Sequence, residues 1–221
     1  MCASLSDFFI NSEIKGGIGD RFRARRFKKF EAQLLKFNRP IRILDIGGTE
    51  CYWENRGFHL RSNIVITLLN LNKTEAKYDH FKPVIGNATD LSDYKEDEFD
   101  IVFSNSVIEH LFTWENQQKM AEECQRVGKH HFIQTPNKYF FIEPHYRLPL
   151  FNFLPKKIAY FLLTKTPVAH GHRWDHNRAT RWLSEIQLLS LNQFQKLFPN
   201  STMSKEKFLG MTKSFTVHNF D

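Results

Sequence analysis

The stretch Ile41-Arg-Ile-Leu-Asp-Ile-Gly-Gly48 decides the fold of this chain. Its first six residues are dense in β-branched and aliphatic side chains, which is typical of a buried strand. The two glycines that follow predict a turn, because glycine adopts positive φ and lets the backbone approach a ligand closely. Asp45 offers a carboxylate that can anchor a cationic or hydroxyl group. This ending predicts a nucleotide-type site at the carboxyl edge of an open α/β sheet.

The segments around this strand predict a sheet whose strands alternate with helices. Short runs rich in β-branched residues indicate strands, and apolar residues at helical spacing indicate helices. The segments are strands at 63–69, 82–86, 99–104 and 130–135, and helices at 20–36 and 115–127. Their alternation indicates an α/β fold, a doubly wound and mostly parallel sheet with helices on both faces.

Residues 136–176 interrupt this alternation, because they are rich in Pro, Phe, Lys and His and too irregular for another plain unit. We predict an inserted cap lobe here. A helix at 180–198 and strands near 202–204 and 214–217 predict a closing antiparallel strand pair. The chain is expected to be one domain with four parts: an N-terminal arm and helix (1–40), a core (41–135), a cap or substrate lobe (136–178), and a C-terminal helix with closing strands (179–221).

Composition narrows the class of protein. The chain has 221 residues, of which 41% are hydrophobic and 25% charged, as in ordinary globular domains. Its three cysteines form no CxxC pair, so neither a disulfide framework nor a thiolate metal site is indicated. We expect a cytoplasmic protein, since neither a signal peptide nor a transmembrane segment is evident. The net charge of +7 fits an anionic partner or solubility alone.

Five segments, in their order and spacing, resemble class I S-adenosylmethionine-dependent methyltransferases, and they are most similar to the type 11 group. The segments are Ile43-Leu-Asp-Ile-Gly-Gly-Thr49, Ile66-Thr-Leu-Leu-Asn-Leu71, Gly86-Asn-Ala-Thr-Asp-Leu91, Phe99-Asp-Ile-Val-Phe-Ser-Asn-Ser-Val-Ile-Glu-His-Leu111 and Phe132-Ile-Gln-Thr-Pro-Asn137. The resemblance implies a Rossmann-like fold and S-adenosylmethionine as the cofactor.

The resemblance also implies where that cofactor binds. The matching positions lie at or just after the ends of the first four predicted strands, and they are Asp45, Gly47, Gly48, Asn70, Leu71, Asn87, Ala88, Ser104 and Asn105. The sequence departs from the family's pattern at two places. Asn70 replaces the acidic residue that grips the ribose hydroxyls, and an amide lacks the charge of a carboxylate. Residues 49–51 replace the third glycine, which predicts a bulkier turn.

Methyl transfer is an in-line attack on a sulfonium methyl group, so a base is needed only where the nucleophile holds a proton. Glu109 and His110 follow the fourth strand, and His110 is the best candidate base because an imidazole titrates near neutral pH. Glu143 and His145, in the lobe, are expected to bind or deprotonate the acceptor. The alternatives are that the first pair only packs the next helix, and that the second only forms a proline-fixed turn.

We predict no metal site. The histidine-rich segment 170–176 fits no standard zinc spacing, and Ser106 supplies no carboxylate beside Glu109 and His110. The segment 149–163 is very apolar with two central lysines. This pattern predicts a packed cap helix, peripheral contact with a membrane, or the wall of a lipophilic acceptor cavity.

The expected function is methyl transfer to a small-molecule, lipid- or glycan-linked acceptor, at oxygen. The preference for oxygen rests on His110 and on Ser104-Asn-Ser-Val107, which lacks the Asp/Asn-Pro-Pro-Tyr/Phe motif of amino-methylating enzymes. One alternative is an RNA or protein methyltransferase, which the charge favours, and another is a non-catalytic cofactor-binding module. A nicotinamide oxidoreductase is disfavoured, because no G-x-G-x-x-G follows the first strand. The sequence leaves the oligomeric state open.

Overall fold

A computed structural model describes residues 18–143, 145–146 and 148–220, and only the backbone of residues 18–20. The strands are β1 (Ile41–Ile46), β2 (Ile64–Asn70), β3 (Phe81–Ile85), β4 (Phe99–Asn105), β5 (Gly128–Pro136), β6 (Ile142–Glu143), β7 (Leu148–Pro149), β8 (Thr202–Phe208) and β9 (Met211–His218). The α-helices are α1 (Ile18–Leu34), α2 (Glu50–Glu54), α3 (Trp114–Val127), α4 (Lys156–Lys165), α5 (His176–Glu185) and α6 (Leu191–Leu197).

Seven strands form one sheet in the order β3-β2-β1-β4-β5-β9-β8. The first five run parallel, and β9 joins β5 antiparallel with β8 at the edge. The predicted fold class is therefore confirmed, including the closing antiparallel pair. Because β1 lies between β2 and β4, the strand order reverses there, and ligands bind beyond the carboxyl ends of strands at such a point.

The two faces of the sheet bury separate apolar layers. On one face α1 places Phe30 against Phe103 and Phe132, with ring centroids 4.9 and 5.2 Å apart. On the other face, α3 and α6 bury residues such as Met120 and Phe194. Aromatic rings on several elements meet in the first layer, so much of the chain's phenylalanine content is core packing.

The predicted lobe has its own small core. Tyr146, Phe151, Leu163 and Trp174 are buried together, between the β6–β7 pair and the helices α4 and α5. The four-part division of the chain remains a prediction. Among the described residues, no helix is both long and apolar enough to cross a membrane.

The predicted helix at 180–198 is wrong as one element, since two helices occupy this stretch. The backbone carbonyl of Leu189 does not take part in a helix, because it accepts a hydrogen bond from the N–H of Lys138 at 3.0 Å. Ser190 then begins α6 with a capping box in which its hydroxyl and Gln193 satisfy each other's backbone N–H groups.

Candidate functional site

The turn after β1 brings backbone to the carboxyl edge of the sheet. Gly47 has a φ of 75°, in the left-handed region that glycine adopts most readily. A Cβ on Gly48 would lie 1.6 Å from Oδ2 of Asp45, so a side chain cannot be placed there. The turn therefore requires both glycines, and Gly47 is left exposed at the edge.

Asp45 lies beneath this turn. Its carboxylate is almost fully buried and accepts a hydrogen bond from Nε1 of Trp53 at 2.6 Å. Burial raises the pKa of Asp45 to about 8, although the bond from Trp53 and the charge of Arg56 oppose the change. In this arrangement Asp45 supports the turn from below, and its expected role as a direct anchor of the cofactor remains a prediction.

Asn70 connects the end of β2 to the same turn. Its side-chain amide donates to the carbonyl oxygen of Gly48 at 2.8 Å. A carboxylate could not donate this hydrogen bond, so the amide gives the turn a support that the family's usual acidic residue would not supply. The two departures from the family's pattern, at Asn70 and at residues 49–51, are therefore neighbours in space.

The remaining predicted cofactor positions lie at the same edge. Asn87 accepts hydrogen bonds from the N–H and hydroxyl of Thr89, both at 3.0 Å, and Ala88 is buried beside it. Ser104 is buried and donates to the carbonyl of Ile46 at 3.3 Å. Gly47, Leu71 and Asn87 are exposed, while Gly48, Asn70 and Asn105 are half-buried. This strip of backbone and amide groups fits an extended nucleoside ligand such as S-adenosylmethionine.

Arg26 is a member of this edge that sequence reasoning missed. It lies among the six basic residues of the stretch 21–29 in α1, yet it is buried and donates to the side-chain oxygen of Asn105. Its guanidinium also forms two hydrogen bonds with the carboxylate of Glu206, at 2.9 and 2.8 Å. Arg26 therefore connects α1 both to Glu206 on β8 and to the end of β4.

The four predicted catalytic residues meet at the carboxyl ends of β4 and β5. The rings of His110 and His145 have centroids 4.9 Å apart and are nearly perpendicular. His110 Nδ1 lies 3.1 Å from Glu185, and His145 Nδ1 lies 2.7 Å from Glu143. We call this group the histidine cluster, and its members are Glu109, His110, Glu143, His145 and Glu185.

Two carboxylates of the histidine cluster are fully buried. Glu109 and Glu143 have no exposed surface. Glu109 accepts a hydrogen bond from Thr135 at 3.0 Å, and its other oxygen has no hydrogen-bond partner among the described residues. Glu143 also accepts from the N–H of Tyr146 at 2.6 Å. The Glu143–His145 pair thus reaches His110 through the ring of His145, and its role toward the acceptor remains a prediction beside the alternative of a structural turn.

The environment of His145 favours its protonated form. Burial lowers the pKa of His145, but the hydrogen bond and the charge of Glu143 outweigh burial, so that the pKa lies above its ordinary value. The Nε2 atom of His170 donates to the carbonyl of His145 at 2.8 Å and so helps to hold the loop. Sequence reasoning assigned neither Glu185 nor His170 to this site.

Glu109, His110 and His145 place one ligand-type atom each within 4.8 Å of one another. Two imidazoles and one carboxylate can hold a divalent ion such as zinc. The sequence predicts no metal here, and that prediction remains to be tested.

Comparison with known proteins shows which family these features match. Residues 53–131, from α2 into β5, match the family model of a methyltransferase domain. No curated protein matches the chain.

Solved structures share the fold at low identity. The PH0226 protein of Pyrococcus horikoshii OT3 has a TM-score of 0.55 at 14% identity, over 97% of this chain and 98% of that one. An S-adenosylmethionine-dependent methyltransferase of Methanosarcina mazei has a TM-score of 0.50 at 12% identity, over 82% of this chain and 92% of that one. A candidate methyltransferase of Haloferax volcanii, in complex with the Trm112 methyltransferase activator, has a TM-score of 0.51 at 11% identity, over 98% of each chain. Residues 53–131 are thus similar to a methyltransferase domain, on a fold that S-adenosylmethionine-dependent methyltransferases share.

Proposed function

We propose that this chain is an S-adenosylmethionine-dependent methyltransferase of the class I, type 11-like group, and that it methylates a hydroxyl oxygen of a small-molecule, lipid- or glycan-linked acceptor. The acceptor is held beside the histidine cluster, at the carboxyl ends of β4 and β5. In this proposal Glu109, His110, Glu143 and His145 are the residues that bind the acceptor hydroxyl and receive its proton.

The observation that carries this proposal is the meeting of two carboxylate-bound imidazoles. Glu185 lies at Nδ1 of His110 and Glu143 at Nδ1 of His145, while the two rings meet edge to face with centroids 4.9 Å apart. A carboxylate at Nδ1 orients an imidazole and stabilises its protonated form. This arrangement suits a group that accepts a proton during the reaction.

A hydroxyl group needs such a base, because it holds its proton at neutral pH and is then a weak nucleophile. S-adenosylmethionine supplies an electrophilic methyl group on a sulfonium when it is bound. When the acceptor oxygen took this methyl group, its hydroxyl proton would pass to an imidazole of the cluster. Glu143 balances the resulting charge on His145, and burial limits the access of water that would compete for the proton.

The test is turnover on a panel of acceptors. The purified chain is incubated with S-adenosylmethionine and with alcohols or phenols of the three acceptor classes, each paired with the matching amine. Methyl ethers, identified by mass spectrometry, are the expected products. Exclusive formation of N-methyl products, or no binding of S-adenosylmethionine by calorimetry, would contradict the proposal.

A matched histidine variant separates chemistry from folding. His145→Ala is expected to lower kcat by about a hundred-fold or more, as for the loss of a general base, while cofactor binding persists. His172→Ala changes an exposed histidine of the same lobe and should leave kcat unchanged. Equal losses in both variants would point to a structural effect of the lobe instead.

The exposed side of α1 favours a second candidate, an RNA or protein methyltransferase. Arg21, Arg25, Lys28 and Lys29 are exposed there, whereas Phe27 and Phe30 face the core. Such a basic face attracts polyanions, and the affinity of the chain for RNA or an acidic protein should then fall steeply as the salt concentration rises. Methyl incorporation into RNA or an acidic protein, lost on neutralising these four residues, would support this candidate over the first.

A further inference from the structure

Large apolar side chains are exposed along one short stretch of the lobe, residues 150–161. Leu150, Phe153, Ile158 and Phe161 each expose between 49% and 59% of their surface. We call these four residues the lobe face. Tyr139, 60% exposed, stacks on Phe153 with ring centroids 6.4 Å apart and extends it. Several large apolar groups exposed within so short a stretch indicate a binding surface, whereas single exposed ones are ordinary.

The lobe face is separate from the packing of the lobe. Helix α4 buries Ala159 and Leu163, which are four residues apart and lie on its inner side. Ile158 and Phe161 are three residues apart and share a different side, with Lys165 four residues further on. The helix therefore has one apolar side for the lobe's core and a second that the described residues leave exposed.

Leu150 exposes its apolar side chain although its backbone adopts an unfavourable conformation. Leu150 has a φ of 57°, in the left-handed region where glycine or asparagine is accommodated more easily. A leucine that is both exposed and in this conformation contributes little to folding.

The charges around the lobe face select one kind of partner. From residue 144 to residue 174 the sequence has no aspartate or glutamate, while it has Arg147, Lys156, Lys157, Lys165 and Arg173. Lys156 and Lys157 are exposed in the first turn of α4, where the helix dipole disfavours positive charge. Lys156 and Lys157 therefore do not stabilise their own helix. Exposed apolar groups flanked by such lysines are typical of a surface that binds anionic lipid.

We propose that the lobe face docks on an anionic lipid bilayer, with Phe153, Ile158 and Phe161 entering the boundary between headgroups and acyl chains. Lys156, Lys157 and Lys165 would then lie at the level of the headgroups. Tyr146 connects this surface to the reaction site, because it packs on Phe151 at 4.3 Å between ring centroids and its N–H binds Glu143. Binding of the lobe face to a bilayer does not depend on the proposed function. Only the identity of the acceptor rests on that function, and membrane docking narrows the acceptor to a lipid or lipid-linked hydroxyl.

The test is co-sedimentation of the full chain with vesicles, without cofactor or acceptor, so that it can fail independently of methyl transfer. The vesicles are phosphatidylcholine alone, or phosphatidylcholine with about one-third phosphatidylglycerol. Binding is expected to the anionic vesicles and to weaken as salt is raised. No binding to them at low salt would overturn the proposal.

Two variants and a control show which residues are responsible. The double variant Ile158→Glu/Phe161→Glu should bind anionic vesicles at least about ten-fold more weakly. Leu60→Glu alters a leucine that is 80% exposed outside the lobe and should bind as the wild type does. Lys156→Gln/Lys157→Gln should lose most of the preference for anionic lipid.

Other occupants of the lobe face give different results. If the Ile158→Glu/Phe161→Glu variant changes a dimer into a monomer by sedimentation velocity and no chain binds vesicles, the face is a subunit interface and the proposal is wrong. An equal loss of vesicle binding in Leu60→Glu would also overturn it, since the binding would then depend on total charge. Because all of these side chains are exposed, unchanged circular dichroism is expected in every variant.

Discussion

Glu143 accepts a hydrogen bond from Nδ1 of His145 at 2.7 Å, and both side chains are nearly inaccessible to solvent. The carboxylate belongs to β6 and the imidazole to the loop that follows it, so two neighbouring positions of the lobe build the pair. The ring of His145 then meets His110, which follows β4. Through these contacts the lobe completes a site that the sheet begins.

The first prediction concerns the pH dependence of turnover. The unprotonated imidazole is the active form of a base, and the pKa of His145 is raised despite burial because Glu143 binds it. We therefore expect kcat/KM to rise with pH through a pKa above the ordinary histidine value and to be lost below it. Glu143→Gln should move this transition toward lower pH and lower kcat by about ten-fold or more.

The measurement is a pH–rate profile of both proteins on one hydroxyl acceptor. Glu185→Gln is a useful comparison, since Glu185 binds His110 and its charge raises the pKa of His145 less than Glu143 does. It should therefore move the transition less than Glu143→Gln does. An unchanged transition in Glu143→Gln would mean that His145 is not the titrating base.

The sequence predicts structure that depends on neighbouring residues, but it does not predict contacts between residues that are far apart in the chain. The strand at 41–46 and its glycine turn were predictable because β-branched residues and paired glycines act locally. The residues that complete the site could not be found in this way. Glu185 lies 75 positions from His110, and Asn105 lies 79 positions from Arg26, and no periodicity relates such partners. Only the packing of the lobe and of α1 onto the sheet brings them together.

A second prediction follows from the buried carboxyl group of Asp45. Its pKa is about 8 in the folded chain, mainly because of burial, against 3.8 for the ordinary group. Between about pH 4 and 8 the folded state therefore binds the extra proton, so Asp45 makes the free energy of unfolding fall as pH rises. The slope is on the order of 1 kcal/mol per pH unit. Asp45→Asn keeps an acceptor for Trp53 and should remove this contribution.

Urea unfolding of the wild type and Asp45→Asn at several pH values provides the measurement. The difference between the two proteins isolates Asp45 from other titrating groups. The variant is expected to gain stability relative to the wild type as pH rises toward 8. Parallel curves across this range would show that Asp45 is not held protonated by burial.

A third prediction concerns the ion pair between Arg26 and Glu206. Both side chains are largely buried, and Glu206 has its pKa lowered, against the effect of burial, by Arg26 and Ser214. Arg26→Ala leaves a buried carboxylate without its partner and is expected to cost about 3 kcal/mol of unfolding free energy. Arg26→Ala/Glu206→Gln should recover part of that loss, because the stranded charge is gone. An additive double variant in urea unfolding would contradict this coupling.

The last prediction decides between a proton-accepting histidine and a metal at the same place. If an imidazole of the histidine cluster takes the acceptor's proton, a chelator should leave turnover unchanged. Added Zn²⁺ should inhibit, because it would occupy the ring nitrogens of His110 and His145 together with Glu109, whose ligand atoms lie within 4.8 Å of one another. Glu109→Gln should weaken that inhibition while keeping the shape of the site. Loss of turnover in chelator that Zn²⁺ or Mn²⁺ restores would instead make the cluster a metal centre, since an ion that lowers the pKa of a bound hydroxyl replaces the need for a base.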